Sequence, residues 1–490
     1  MNKKITNVLL VGLGSHAKRI YFPVFLRDGE KYNFRIVCAL DLKEKKDDIE
    51  NYLSEKGNPN LEMHYFLSKD FKSNRLRSPI KKKLDEIIDK FSIQGVIIST
   101  GPESHMVYVQ WALEKGLSVL MDKPLSVHNN LSTSKFSAKK LIDDYEKIIK
   151  VYEKAKKKYG RILFSLVVQR RYHPAFEKIR NLIKEVFNET NCPITSIQAF
   201  HSDGQWRLPN EIMDVDYHSF NHGYGKCSHS GYHFFDIIIW LMKAAEEKGK
   251  KVNNVDVFSN FVRPSDFLSQ IEKKDYEKIF PNFNSYNKYN FEKLKKSYKR
   301  FGEIDSFCSF AFKRGGDIIT LASVNLVHNG FSKRGWLSLA GKDLYKGNGP
   351  IRHESYIIEQ GPFQAIHFNS FQSGEVNPNI TNNLYEVGNE YHLDIHVFRN
   401  DNYFSGWKNY EKFSIKELGK NYLHGRSRGH QEDARREAIL EFISFLQGNE
   451  IDPVSEITSH ENGISLCGAV YQSASKRYKG RNPLVNVKLF

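Results

Sequence analysis

Cysteine is scarce in this chain. Cys38, Cys192, Cys227, Cys308 and Cys467 are odd in number among 490 residues, and no pair has C-x-x-C spacing. Neither a disulfide framework nor a zinc ribbon is therefore expected, and a reducing, cytoplasmic setting fits. Long apolar runs are missing as well. None approaches the roughly 18 residues of a membrane span, so no membrane partner is expected. Met1-Asn2-Lys3-Lys4-Ile5 leads directly into a strand-like segment, without the apolar stretch and small-residue cleavage site of a secretory leader. Helix-turn-helix, zinc-finger and aromatic RNA-binding patterns are absent, as are internal repeats. Acidic residues fall short of basic ones, 57 against 73, which leaves a formal charge of +16. The lysines, however, sit in short runs such as Lys81-Lys82-Lys83 and Lys156-Lys157-Lys158 among Glu, Asp and Asn, the pattern of solvated helix faces. No nucleic-acid partner is expected; a positive surface would still draw in an anionic small molecule.

What is present begins with length, which is too great for one ordinary core and predicts two domains. Asn7-Val8-Leu9-Leu10-Val11 is a short apolar run that ends in Gly12-Leu13-Gly14-Ser15-His16-Ala17. This G-x-G-x-x-A pattern lets the chain turn tightly at Gly12, bring backbone close to a pyrophosphate at Gly14, and pack a helix against the strand at Ala17. A second apolar run, Phe34 to Leu40, ends at Asp41, 27 residues beyond Gly14. A carboxylate there accepts bonds from adenosine ribose hydroxyls and repels a 2′-phosphate, which favours NAD; the alternative is that Asp41 merely ends a strand. Lys43 and Lys45 nearby keep NADP open. Two further strand-like runs, Gly95 to Thr100 and Leu117 to Met121, flank a helical stretch from Met106 to Lys115. Alternation of this kind predicts an α/β fold, a doubly wound parallel sheet whose ligand loops follow the carboxyl ends of its strands.

Several ordered motifs then resemble the glucose-fructose oxidoreductase, inositol dehydrogenase and MocA family. They are the glycine turn, Thr100-Gly101-Pro102-Glu103-Ser104-His105, Asp122-Lys123-Pro124 in place of Glu-Lys-Pro, Gln169-Arg170-Arg171-Tyr172-His173-Pro174, and Gly231-Tyr232-His233-Phe234-Phe235-Asp236. The segment from His460 to Ser473 is similar to the family's last helix. The resemblance runs from Val8 to about Lys476. It weakens from Met242 to Gly302 and from Asp343 to Arg428, where the chain is longer than typical members. It implies a Rossmann domain over residues 1–169 and an α+β domain over 170–490 with an open, largely antiparallel sheet. An insertion at about 246–300 is expected to serve as lid or interface. It further implies a homo-oligomer, dimer or tetramer.

In the resemblance, Gly12, Gly14, Ser15, His16, Asp41, Thr100, Pro102, His105, Lys123 and Arg171 surround the cofactor. Lys123 stabilises alkoxide charge or relays a proton. His233 is the general base, its imidazole matched to proton transfer near neutral pH. The family's aspartate four residues before this histidine is replaced by His229, which is assigned to orienting substrate and lacks the fixed charge that would raise its partner's basicity. Arg170, Trp206 and Arg207 are candidates for the substrate wall, with ion pairing and core packing as equal readings. A metal is the rival reading for His218, His222, Cys227, His229 and His233, with Asp214 and Asp216. The glycines at 223, 225 and 231 suggest an irregular loop instead, and no metal is assigned. The implied activity is hydride transfer between NAD(P) and a secondary hydroxyl or ketone of a sugar, polyol or sugar derivative, sugar nucleotides included. The alternatives are NAD-dependent elimination or hydrolysis of a glycoside through transient oxidation, and a non-catalytic dinucleotide-sensing regulator.

Overall fold

The computed structural model describes residues 5–57, 59–67, 76–215, 218–247, 249–337, 349–373, 383–404, 406–419 and 430–489. They form two compact units. The first comprises residues 1–127, 143–173 and 431–461, the second residues 128–142, 174–430 and 462–490. This division differs from a single boundary at residue 169, because residues 431–461 fold with the first unit although they come near the end of the chain.

The first unit is built on a parallel sheet of β1 (Thr6–Val11), β2 (Phe34–Leu42), β3 (Glu62–Phe66), β4 (Gly95–Ile98), β5 (Ser118–Asp122) and β6 (Phe164–Val167), in the order β3-β2-β1-β4-β5-β6. Its central strands are covered on both faces, so they read as unbroken apolar runs; Val8, Leu9 and Leu10 are all fully buried. The helix His430–Leu446 covers one of these faces. Its Ala438, Ile439, Phe442 and Ile443 join Val8, Ile36 and Leu120 in one apolar core.

The first crossover helix is interrupted. A single turn, Ser15–Arg19, ends at Ile20, and a second helix runs from Tyr21 to Tyr32. Pro23 explains the break: it has no N–H to offer the Arg19 carbonyl one turn earlier, yet is tolerated in the first turn of the new helix.

The second unit carries a nine-stranded sheet, joined in the order β14-β13-β12-β11-β7-β10-β9-β8-β15. The strands are β7 (Ser196–Ser202), β8 (Asn254–Val262), β9 (Asp305–Arg314), β10 (Asp317–Val327), β11 (Ile351–Gln360), β12 (Gln364–Ser373), β13 (Asp394–Arg399), β14 (Tyr410–Ser414) and β15 (Val485–Lys488). All neighbours are antiparallel except β7 and β10. In β9, Cys308, Phe310 and Phe312 are buried while Phe307 and Ser309 face outward, the alternation of a sheet covered on one side. An α/β chain with a Rossmann sheet and an open, largely antiparallel second sheet is thus what the sequence led us to expect.

Two stretches hold more structure than expected. The stretch assigned to an insertion begins with β8, an integral strand between β9 and β15. Only afterwards come four short helices, Pro264–Gln270, Lys273–Ile279, Phe283–Tyr286 and Phe291–Tyr298. The first and last bury Phe267, Leu268, Leu294 and Tyr298 with Ile212, Val215 and Phe220 in a small core, and the middle two bring Tyr276 and Phe283 against Leu208 and Phe280. The other stretch, where the resemblance weakens, holds β11 to β14, which make up one side of the sheet.

Candidate functional site

The carboxyl ends of β1, β4 and β5 bring the dinucleotide-binding candidates of the first unit together. Gly12 takes a left-handed conformation, φ +94°, and a Cβ there would lie 2.6 Å from the Ser99 carbonyl oxygen, so both turn and close approach demand glycine. Gly14 is different. It is exposed, and a Cβ built on it meets nothing within 4 Å, so the backbone here is open to an approaching ligand. Ser15 is exposed and His16 partly so.

Asp41, inside the end of β2, accepts from the Leu13 amide at 2.6 Å and the Leu42 amide at 2.7 Å. It therefore braces the glycine turn, a task its position at a strand tip did not reveal. It stays partly exposed, and each oxygen keeps a second lone pair for a ribose hydroxyl.

Asp122 is the hub of the site. Ser99 Oγ donates to it at 2.7 Å, the Tyr21 hydroxyl donates to its other oxygen, and His16 Nε2 lies 3.4 Å away. Burial alone would raise its carboxyl, but the neighbouring His16 and the three hydrogen-bonding side chains outweigh this and hold it well below the usual carboxylate range. For the His16 ring, burial acts first and downward, Asp122 pulls upward, and Arg435 and Arg19 push down again, with the net result below an ordinary histidine. The carboxylate is thus firmly ionised, held first by the neighbouring His16 and then by the hydroxyl bonds from Tyr21 and Ser99. Lys123 follows directly, half-buried, and joins Pro124 through a cis peptide bond.

Thr100 and Pro102 lie partly exposed in the loop after β4, where Ser104 Oγ donates to Thr100 Oγ1 at 2.7 Å. His105 is placed otherwise than expected. It is 1% exposed, with Nδ1 2.9 Å from the Pro124 oxygen and Nε2 3.1 Å from the Thr100 oxygen. Both ring nitrogens face main-chain carbonyls, so His105 sets the spacing of these two loops instead of offering a nitrogen to a ligand. Arg171 is also turned inward. Its guanidinium donates to Val454 O at 3.1 Å and to Ser459 Oγ at 2.7 Å, which ties the end of β6 to the segment before the last helix. Arg170 beside it is buried.

In the second unit, His229 lies on a π-helical turn, Cys227–Gly231, that runs into the helix Tyr232–Met242 bearing His233. A π turn spaces its bonds by five residues, so the expected single helical face for the two histidines is offset. The His229 ring stacks on His218 at 4.6 Å and meets Phe220 and Tyr224 edge-on. His218 is exposed and held at φ +48°, an uncommon conformation for a non-glycine residue. Both His229 and His233 are largely buried. Asp216 of the rival metal reading lies outside the described residues, and among the described residues no His, Cys, Asp or Glu group is arranged to hold a metal ion.

A polar network that sequence reasoning missed supports this turn. Lys226, 1% exposed, reaches Asp203 at 2.5 Å and His201 Nδ1 at 3.0 Å. Asp203 in turn meets His328 Nδ1 at 3.1 Å, while Arg207 Nε donates to His328 Nε2 at 3.1 Å. Arg207 also donates to Gln205 Oε1 at 3.0 Å. Glu303, fully buried, accepts from the Cys227 amide, Ser132 and Tyr471 at 2.6–2.8 Å. Trp206 packs on Phe280, and its carbonyl accepts from Arg334, which forms a bidentate pair with Glu211. Arg207 is thus engaged in hydrogen bonds within the fold, and Trp206 in packing. Isolated polar residues in an irregular stretch carry no periodic signal, which is why this network was not legible.

The comparisons with known proteins agree with the geometry. Residues 6–153 match the model of the Gfo/Idh/MocA oxidoreductase family, NAD-binding Rossmann fold. No curated protein sequence matches the chain. Among solved structures, an oxidoreductase domain protein from Kribbella flavida superposes with a TM-score of 0.60 at 12% identity, covering 99% of this chain and 100% of that one. Aldose-aldose oxidoreductase from Caulobacter crescentus gives 0.54 at 14%, covering 99% and 100%. The WlbA dehydrogenase from Bordetella pertussis, in complex with NADH and UDP-GlcNAcA, gives 0.54 at 12%, covering 100% and 99%. At such identities these likenesses concern fold alone. The open backbone at Gly14, the strained Gly12 and the braced Asp41 suit a dinucleotide. The first unit accordingly has a Rossmann-type parallel sheet, and its residues 6–153 match the NAD-binding model of the Gfo/Idh/MocA oxidoreductase family.

Proposed function

We propose that the protein is an NAD(P)-dependent dehydrogenase that moves a hydride between nicotinamide and a secondary hydroxyl or ketone of a sugar, polyol or sugar derivative. The observation that carries this reading is the position of Lys123: it follows Asp122 at the carboxyl end of β5, in the sheet of an oxidoreductase-family domain, and Asp122 is joined to His16 of the glycine turn. The bound nicotinamide would supply the hydride acceptor. Lys123 would hold positive charge beside the oxygen that becomes alkoxide. His233 would take the hydroxyl proton, and His229, on its π turn, would orient the substrate. Asp41 favours NAD over NADP through its charge and its remaining lone pairs. Sugar-like substrates are supported by the names of fold neighbours, one of them crystallised with UDP-GlcNAcA. We further propose two functional domains and a homo-oligomer working in the cytoplasm; the described helices include none long and apolar enough to cross a membrane.

The test is a panel of sugars, polyols and sugar acids assayed for NADH formation, with Lys123→Ala and His233→Ala alongside. Each variant should bind NADH within about threefold of wild type and lose roughly a hundredfold or more in kcat, the usual scale of a lost acid–base group. Unchanged turnover in Lys123→Ala would refute the assignment. A product formed without net NAD reduction would replace it with elimination or hydrolysis.

A further inference from the structure

His16 stands two residues after the open Gly14, on the first turn behind the glycine loop. Its side chain is 38% exposed, and Nε2 points at an oxygen of Asp122, 3.4 Å away. That carboxylate is built to stay an acceptor, since two hydroxyls, Tyr21 and Ser99, already donate to it. An imidazole nitrogen facing an ionised carboxylate carries the proton, because a lone pair there would be repelled. A neutral ring has one proton, so Nδ1 carries the lone pair. Among the described residues, no hydrogen bond to Nδ1 is made.

The charged and titratable groups that face the ring come from each element packed against it. They are Asp122 from β5, Tyr21 from the helix that follows, Arg19 from the same turn, and Arg435 from the helix His430–Leu446. Glu432 lies between the two guanidiniums, 3.8 Å from Arg19 and 3.6 Å from Arg435. Two arginines and partial burial oppose a second proton on the ring, and Asp122 alone favours it.

We propose that His16 is a specificity-determining residue of the dinucleotide site, presenting Nδ1 as a hydrogen-bond acceptor in a tautomer fixed by the positioning residue Asp122. The group it receives is a donor, a ribose hydroxyl or a carboxamide NH₂, and not a phosphate oxygen. This rests on the NAD-binding assignment of the first unit and is independent of the roles of Lys123 and His233.

The experiment is NADH titration of the full-length protein by fluorescence from about pH 5.5 to 8.5, which brackets the ordinary histidine range. Wild type should bind with level affinity at neutral pH and weaken in acid, where Nδ1 gains a proton and becomes a donor. Asp122→Leu removes the acceptor opposite Nε2, frees the proton to move to Nδ1, and should weaken NADH binding roughly five- to tenfold at neutral pH, the scale of one lost hydrogen bond. Asp122→Glu, which restores the carboxylate, should recover most of it. Binding that strengthens in acid, or an Asp122→Leu protein that is folded and binds as wild type does, overturns the proposal. Nitrogen NMR of selectively labelled histidine in the wild-type protein reads the tautomer directly, whatever the variants do: a protonated Nδ1 at neutral pH overturns it too. A wild type that binds no NADH at any pH fails the cofactor assignment itself and takes this inference with it.

Discussion

Two glycines only two positions apart in sequence, but opposite in role, show what single residues decide here. At Gly12 an added Cβ meets a carbonyl at 2.6 Å in a left-handed backbone. Gly12→Ala is expected to cost about 1–3 kcal/mol of stability, the range for strain of this kind, read as a lowered thermal midpoint. At Gly14 an added methyl enters open space. Gly14→Ala should keep the midpoint of wild type while NADH binding weakens, and a variant that binds normally would mean the dinucleotide does not pass there. Asp41→Ala should raise the NADPH-to-NADH affinity ratio by removing the charge at the end of β2; it should also loosen the glycine turn, because the Leu13 amide loses its acceptor. The glycine turn was legible because its spacing lies within one loop, and the positions of Asp41 and Lys123 at strand ends because each closes an apolar run. The bonds from Tyr21 and Ser99 to Asp122 were not, since they span 101 and 23 residues and ordinary hydroxyls in buried segments leave no pattern.

Whole elements were legible where burial imposed a rhythm. Strands covered on both faces appear as continuous apolar runs, and β1, β2, β4 and β5 were placed within two residues of their observed ends. β8 was overlooked because Lys- and Asn-rich sequence surrounds it, and β11 to β14 because their outward positions mix His, Ser, Asn and Arg with apolar residues. The loop after β10 carries a testable consequence. His328 is pushed down to about 4, by burial first, with Arg207 and Lys226 acting in the same direction against Asp203. A base depressed in the folded state is protonated earlier in the unfolded chain, so stability is full above the unfolded value near 6.5 and declines as pH falls from about 6.5 toward 4. Between pH 7 and 5, wild type should lose on the order of 2 kcal/mol more stability to urea unfolding than His328→Gln. Equal losses would show that His328 is not buried in its neutral form.

At the scale of the molecule, the alternation of strands and helices was enough to infer the first architecture and the family resemblance implied the second, but neither told how the chain is shared between them. The helix from His430 to Leu446 carries an apolar stripe that any core could use, and local sequence cannot say which core it joins. Its Phe442 lies against Gly95, where a Cβ would come within 2.9 Å of the ring. Phe442→Ala should therefore destabilise the dinucleotide-binding unit by about 3–5 kcal/mol, and the loss should be visible as weaker NADH binding near the unfolding midpoint and not only as a lower midpoint. A fragment that stops at His173 should fail to give a folded nucleotide-binding domain, and adding residues 431–461 through a linker should restore it.

That division of the chain also sets a timetable for synthesis. The first six strands leave the ribosome early, yet the apolar surface they offer is not closed until residues 438–443 have been made, some 270 residues after β6. A protein assembled this way keeps its oldest domain waiting for one of its latest helices. Nascent chains arrested before that point should be the ones that bind chaperones and attract proteases.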